Sequence, residues 1–125
     1  MKFYTYITTN PNKDVLNVGM INNLEQRIIE QYLERGKPET HAGKYYCYNL
    51  VFYEEYKYVN AAIEREKEIK KWRWEKKEEL ICAVNSQWKI LNKEIFGKWP
   101  LSEDELFHRK INKGLRQISH QRRDS

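Results

Sequence analysis

No apolar run in this sequence approaches the roughly 20 residues needed to span a bilayer, so no membrane association is expected. The start, Met1-Lys2-Phe3-Tyr4, leads straight into a strand-like stretch without the apolar core of a signal peptide, which predicts a cytoplasmic protein. Cysteine is scarce as well. Cys47 and Cys82 are too few and too isolated for a disulfide framework, and neither belongs to a CxxC pair. His41, His108 and His120 lie far apart, so the ligand spacing of a zinc site is missing. There is no internal repeat and no long linker, and 125 residues suit one domain.

What is present points to a packed core. Hydrophobic residues make up 40% of the chain and charged residues 33%, a balance that argues against disorder throughout. Four Trp, nine Tyr and four Phe make the core aromatic. The net charge is +5, and its location matters more than its size. Of the 23 basic and 18 acidic residues, six basic and one acidic lie beyond residue 107, so positions 1–107 carry 17 of each. The neutral body ends in a basic tail containing Arg109, Lys110, Lys113, Arg116, Arg122 and Arg123. Such a tail can lean on phosphates without sequence preference, or simply be solvated.

Phe3 to Thr9 (FYTYITT) is rich in β-branched and aromatic residues and reads as a strand. The turn cluster Asn10-Pro11-Asn12-Lys13-Asp14 follows, and Val15 to Met20 resumes the strand signal, which predicts a hairpin. Asn22 and Asn23 can cap a helix. Leu24, Ile28 and Tyr32 recur at helical spacing, and Gly36 is placed to end it. Lys37 to Lys44 reads as a loop and Asn49 to Tyr56 (NLVFYEEY) as a strand. A helix is expected from Asn60, a second over WEKKEELICAV, and a short capped one from Ser102 to about Lys113. The order ββαβαα predicts an α+β fold, a small, mostly antiparallel three-stranded sheet flanked by helices.

On a helix at about 100° per residue, Val59, Ala62, Ile63 and Ile69 form one stripe with Glu66 at its centre. Glu64, Lys67, Glu68 and Lys71 fall away from it, as surface charges should. A carboxylate within a buried stripe costs several kcal/mol unless a metal, an arginine or a solvent-filled cleft offsets it. That makes Glu66 a site candidate, with a structural salt bridge as the alternative. Arg27 lies at the border of the apolar stripe of the first helix, where an arginine commonly snorkels. Tyr4 and Tyr6 share one face of the first strand, and Phe3, Thr5 and Ile7 the other.

These features together resemble the GIY-YIG nuclease family. Tyr4-Thr5-Tyr6 stands where "GIY" is expected, and eleven residues after Tyr6, Asn17-Val18-Gly19 stands where "YIG" is expected. The spacing from Gly19 brings the family's catalytic arginine onto Arg27. The stretch AAIEREKEIKKW looks like the family's third helix, with the metal-binding glutamate on Glu66. Asn85-Ser86-Gln87-Trp88 resembles the Asn-Pro-Glu-Trp stretch that closes small bacterial stand-alone members. The resemblance implies a nuclease-like domain over residues 1–91 and a C-terminal helical extension with its basic tail over 92–125. Asn17 replaces the tyrosine of "YIG", Tyr4 replaces the first glycine of "GIY", and Gln31 stands where the family often has a histidine.

The resemblance further implies hydrolysis of phosphodiester bonds in DNA with one Mg²⁺ or Mn²⁺ held by Glu66. Arg27 would brace the phosphate. Tyr6 would orient or deprotonate the attacking water, and for the latter its phenol must be depressed by nearby cations. Asn17, Gln31 and Asn85 are supporting candidates, and Lys44, Lys70, Lys71 and Arg73 candidate contacts to nucleic acid. Basic residues interleaved with Trp72 and Trp74 can grip a backbone and stack bases. Two other readings stay open. One is a catalytically inactive nucleic-acid-binding module, and the other a protein-interaction domain using Tyr45, Tyr46 and Tyr48. Oligomeric state does not follow from the residues.

Overall fold

A computed structural model describes residues 1–109. The elements follow in the order β1 (Phe3–Thr9), β2 (Leu16–Ile21), α1 (Leu24–Leu33), α2 (His41–Lys44), β3 (Asn49–Tyr56), α3 (Val59–Lys70), α4 (Trp74–Val84) and α5 (Asn92–Phe96). Residues 103–109 form a further helical segment. The expected continuation to Lys113, and the rest of the basic tail, lie outside the described residues. β1 is the central strand, paired antiparallel to β2 on one side and to β3 on the other. The fold is α+β, a three-stranded antiparallel sheet flanked by helices.

Alternation along β1 divides the core in two. Tyr6 points to one face, where it packs with Leu24 and Ile28 of α1 and Leu50 of β3. Ile7 points to the other, where Val18, Val51, Phe52, Ile69 of α3 and Ile81 of α4 surround it. α1 and α3 therefore lie on opposite faces of the sheet. Fully burying an aliphatic side chain of this size contributes about 1.5–3 kcal/mol, and Ile7, Ile28, Leu50, Ile69 and Ile81 are all completely buried. Thr5 adds a buried tie on the α3 face, its hydroxyl donating to the carbonyl of Ala62 at 2.8 Å.

Local chemistry explains the element ends. Asn23 caps α1, its side-chain oxygen accepting from the amide of Gln26 at 3.0 Å. Gly36 follows the helix in the left-handed region, with φ 86°. Asn60 is not a cap, because α3 begins one residue earlier, after Tyr58, without a side-chain cap. Ser102 and Glu105 form a reciprocal capping pair at the start of the last segment, the hydroxyl accepting from the Glu105 amide at 3.2 Å and the carboxylate accepting from the Ser102 amide at 3.3 Å.

α2 departs from the loop expected over Lys37 to Lys44, and α5 opens the expected helical extension. In α2, Thr40 accepts from the amide of Gly43 at 3.0 Å. The Gly43 carbonyl in turn accepts from the amide of Gly36 at 2.8 Å, which ties the turn to the end of α1. α5 is anchored by Asn92, which is fully buried. Its oxygen accepts from the Leu50 amide at 2.7 Å, and its amide donates to the Tyr48 carbonyl at 3.0 Å. The β1–β3 register shifts between Ile7 and Thr8, so Val51 is the extra residue of a bulge in β3. Its carbonyl accepts from Asn85 at 2.9 Å, and the Leu50 carbonyl accepts from the Leu91 amide at 2.7 Å.

Candidate active site

A cleft with a volume of about 420 Å³ follows β2. Tyr6 of β1, Asn17 and Gly19 of β2, Arg27 and Gln31 of α1, and Glu66 and Lys70 of α3 all line it. Side chains from the two faces of the sheet thus meet past its β2 edge. Gly19 makes the meeting possible. It pairs with Tyr6 across the strands, and the Tyr6 ring lies over it. A methyl group at Gly19 would sit 2.9 Å from Cε2 of Tyr6, 2.5 Å from Cζ and closer still to the hydroxyl.

Tyr6 is 2% exposed. Burial pushes its phenol above the ordinary value; the Arg27 guanidinium offsets part of this, while Glu66 and Glu30 add to the rise and the hydrogen bond from Gln31 lowers it. The sequence-based requirement that cations depress this group is not met by the protein's own charges. Gln31 donates from Nε2 to the Tyr6 oxygen at 3.3 Å.

The charges in the cleft are balanced within each helix. Arg27 Nε lies 3.7 Å from a Glu30 oxygen one turn on, and Glu66 lies 3.4 Å from Lys70 Nζ. Glu66 is neither fully buried nor free in solvent, with 21% of its side chain exposed. The apolar stripe around it is narrower than its periodicity suggests. Ala62 and Ile69 are fully buried, whereas Val59 is 38% exposed because the first turn of α3 follows the exposed Lys57 and Tyr58.

The other candidates stand elsewhere. Asn85 is buried away from the cleft, donating to the carbonyls of Val51 and Lys89 and accepting from the Lys89 amide, each at 2.9 Å. It braces α4 and the following turn against β3 and is not among the residues lining the cleft. Lys44, Lys71 and Arg73 are exposed outside the cleft lining. Trp72 packs against the core beneath Arg65 and Lys76, and Trp74 faces Trp88. Of the surface aromatic group, Tyr45 and Tyr46 are exposed, while Tyr48 packs edge-on against Tyr32. His41, Glu30 and Glu34 also line the cleft and carry no sequence signal that marks them. The His41 ring nitrogen Nε2 meets the Leu16 carbonyl at 3.1 Å, and as a carbonyl only accepts, that nitrogen carries the hydrogen.

The residues fit a hard divalent cation. Glu66 offers a carboxylate, and no group of three His, Cys, Asp or Glu suited to a metal gathers among the described residues. An ion there would rely on water and substrate phosphate for its remaining ligands, as magnesium commonly does. Two polar atoms buried without a hydrogen-bond partner, Arg27 Nε and Gln31 Oε1, belong to the same cleft.

The fold and this cleft define a small single-sheet domain with a tyrosine, an arginine and a glutamate converging on one cavity. The GIY-YIG catalytic domain matches residues 2–79, and the chain belongs to the GIY-YIG family. This is a family of nucleases that act on nucleic acid and generally depend on a divalent metal. The solution structure of a UPF0213 protein from Bacillus halodurans is similar, at 22% identity and a TM-score of 0.48, covering 74% of this chain and 96% of that one. No curated protein matches the sequence.

Proposed function

We propose that this protein is a metal-dependent endonuclease hydrolysing phosphodiester bonds in DNA, with Tyr6, Arg27 and Glu66 as its principal residues. The supporting observation is that these three side chains, from a central strand and two helices on opposite faces, line one cavity of about 420 Å³. Glu66 would hold the Mg²⁺ or Mn²⁺, which would supply Lewis acidity to a phosphate oxygen. Arg27 contacts the phosphate and the charge that develops on it. Tyr6, fixed over Gly19, faces the attacking water, and Gln31 leaves the phenolic hydrogen free for the cleft by donating to its oxygen. Lys70 adds a second cation to the cleft wall.

The test is nicking of supercoiled plasmid in Mn²⁺, with EDTA and Glu66→Ala as controls. The expected result is metal-dependent nicking that disappears in both. Arg27→Ala lowers the rate by about 10²–10³-fold, the usual cost of losing one donor to a developing charge. Nicking that survives unchanged in Glu66→Ala overturns the proposal. Salt-sensitive DNA binding without any cleavage would point instead to a binding module that has lost the chemistry.

A further inference from the structure

The turn that follows α2 carries two tyrosines that the core does not use. Tyr45 is 40% exposed and Tyr46 49%, although each ring has a large apolar area to bury. Tyr46 also holds a positive φ of 60°, a conformation that strains a bulky residue. Such strain persists only where the surroundings fix it, and it gathers at functional surfaces. Here the Tyr46 amide donates to the Gly43 carbonyl at 3.3 Å, and the Cys47 amide to the Ala42 carbonyl at 2.8 Å. Gly43 is closed in, since a methyl group there would meet the carbonyl oxygens of Lys37 and Glu34 at 2.5 and 2.8 Å. The two rings therefore project from a braced turn. That turn adjoins the cleft. His41 lines the cavity, and its ring centroid lies 4.9 Å from that of Tyr45. This step is comparable with the roughly 3.4 Å rise per nucleotide along a strand. A cation completes the series, with Lys44 Nζ 5.3 Å from the Tyr45 centroid.

We infer that the Tyr45–Tyr46 turn stacks an unpaired base next to the phosphate held in the cleft, so that the protein favours DNA with a single-stranded segment over continuous duplex. The inference rests on the nuclease reading and deepens it by naming the substrate. Aromatic side chains stack on a base of any identity, and a cation beside them meets the phosphates in between. In continuous duplex the base faces are covered by their neighbours, and only base edges and phosphates reach the surface. A ring on the protein surface gains a base face only where the strand is unpaired. With a phosphate in the cleft, the neighbouring base then rests on Tyr45 or Tyr46, and Lys44 meets the next phosphate. Exposed aromatic rings also suit a protein partner. The ring-to-ring continuity from the cleft through His41 to Tyr45, with a cation over the second ring, favours a nucleotide instead.

The experiment uses the full-length protein and two labelled DNAs of equal length, a continuous duplex and a splayed duplex with unpaired arms. Fluorescence anisotropy in EDTA at one fixed salt concentration gives the affinity for each, and cleavage is then followed in Mn²⁺. Wild type is compared with Tyr45→Ala/Tyr46→Asn and with Tyr45→Phe/Tyr46→Phe. Asparagine is chosen at 46 because it tolerates the left-handed backbone. Wild type should bind the splayed DNA about 5–150-fold more tightly than the duplex, the range for one stacked base. That ratio should fall toward one in Tyr45→Ala/Tyr46→Asn and stay within about threefold of wild type in Tyr45→Phe/Tyr46→Phe, which keeps both rings. Partial unfolding would weaken both DNAs together and leave the ratio in place. Equal affinities in wild type, or a ratio that survives loss of the rings, overturns the inference. Cleavage of both DNAs alike by wild type overturns it as well and leaves the nuclease reading intact. A preference for splayed DNA that is never cut removes the nuclease reading and leaves the rings as a base-stacking surface. No affinity for either DNA, the result a protein-docking face would give, removes both.

Discussion

Replacing Gly19 by alanine tests the construction of the cleft without relying on any activity. Gly19 does not adopt a positive φ, so its backbone accepts alanine. At an ordinary strand position the change would stabilise the fold by about 0.4–1 kcal/mol through the unfolded chain. Here the new methyl group meets the Tyr6 ring at 2.9 Å and less. That ring is 2% exposed and boxed in by Leu24, Ile28 and Leu50, so it has nowhere to retreat. Overpacking of this kind costs about 1–3 kcal/mol. The cost should depend on the ring. In a Tyr6→Leu background the colliding atoms are gone, and Gly19→Ala should be neutral or slightly stabilising. The expected coupling between the two positions is therefore about 1.4–4 kcal/mol, summed from the two effects. Urea unfolding of the four proteins in the cycle measures it, with a fall of roughly 4–8 °C in midpoint per kcal/mol as a cross-check. Equal losses in both backgrounds, or none in either, would refute the reasoning.

Asn85→Ala removes three hydrogen bonds of 2.9 Å and strands two carbonyls and an amide. It should cost about 2–3 kcal/mol by urea unfolding while leaving cleavage unchanged below the unfolding range. Cys47 is fully buried, and burial, with a smaller contribution from Asp14, pushes its thiol up to about 11. Its alkylation in the folded protein should therefore be much slower than that of the part-exposed Cys82 at pH 8, and should rise as pH climbs toward that value. The sign for stability agrees, because a thiol raised in the fold contributes fully below its unfolded value and loses that contribution as pH rises through the folded one. Mass spectrometry of iodoacetamide-treated protein across pH reads both cysteines, and equal rates would count against it.

The regular elements were legible where side-chain pattern alone decides. FYTYITT and NLVFYEEY carry the β-branched and aromatic runs of strands, and WEKKEELICAV spans the same residues as α4. α2 was not, because a single Thr40 cap within a Pro- and Gly-containing stretch gives no periodic pattern, and the anchor of α5 was not, because its partners are remote in sequence. Asn92 bonds to residues 42 and 44 positions away. The site was legible through motif spacing at Tyr6, Arg27 and Glu66 and through the odd carboxylate in the α3 stripe. Its chemistry was not. The raised phenol of Tyr6 and the orphaned atoms of Arg27 and Gln31 arise from burial, which no spacing encodes. Asn85 matched a motif, yet its three bonds are to backbone groups around Val51 and Lys89.

The bulge at Val51 bears on how far this chain can drift. Leu91, Asn92 and Asn85 all grip main-chain atoms of Leu50 and Val51, so the stretch from residue 85 to 92 hangs from peptide groups that any amino acid supplies. Volume-conserving exchanges at 50 and 51 keep those handholds, whereas shortening the strand by one residue would remove them together. The hinge between sheet and C-terminal segment is thus tolerant of identity and intolerant of length.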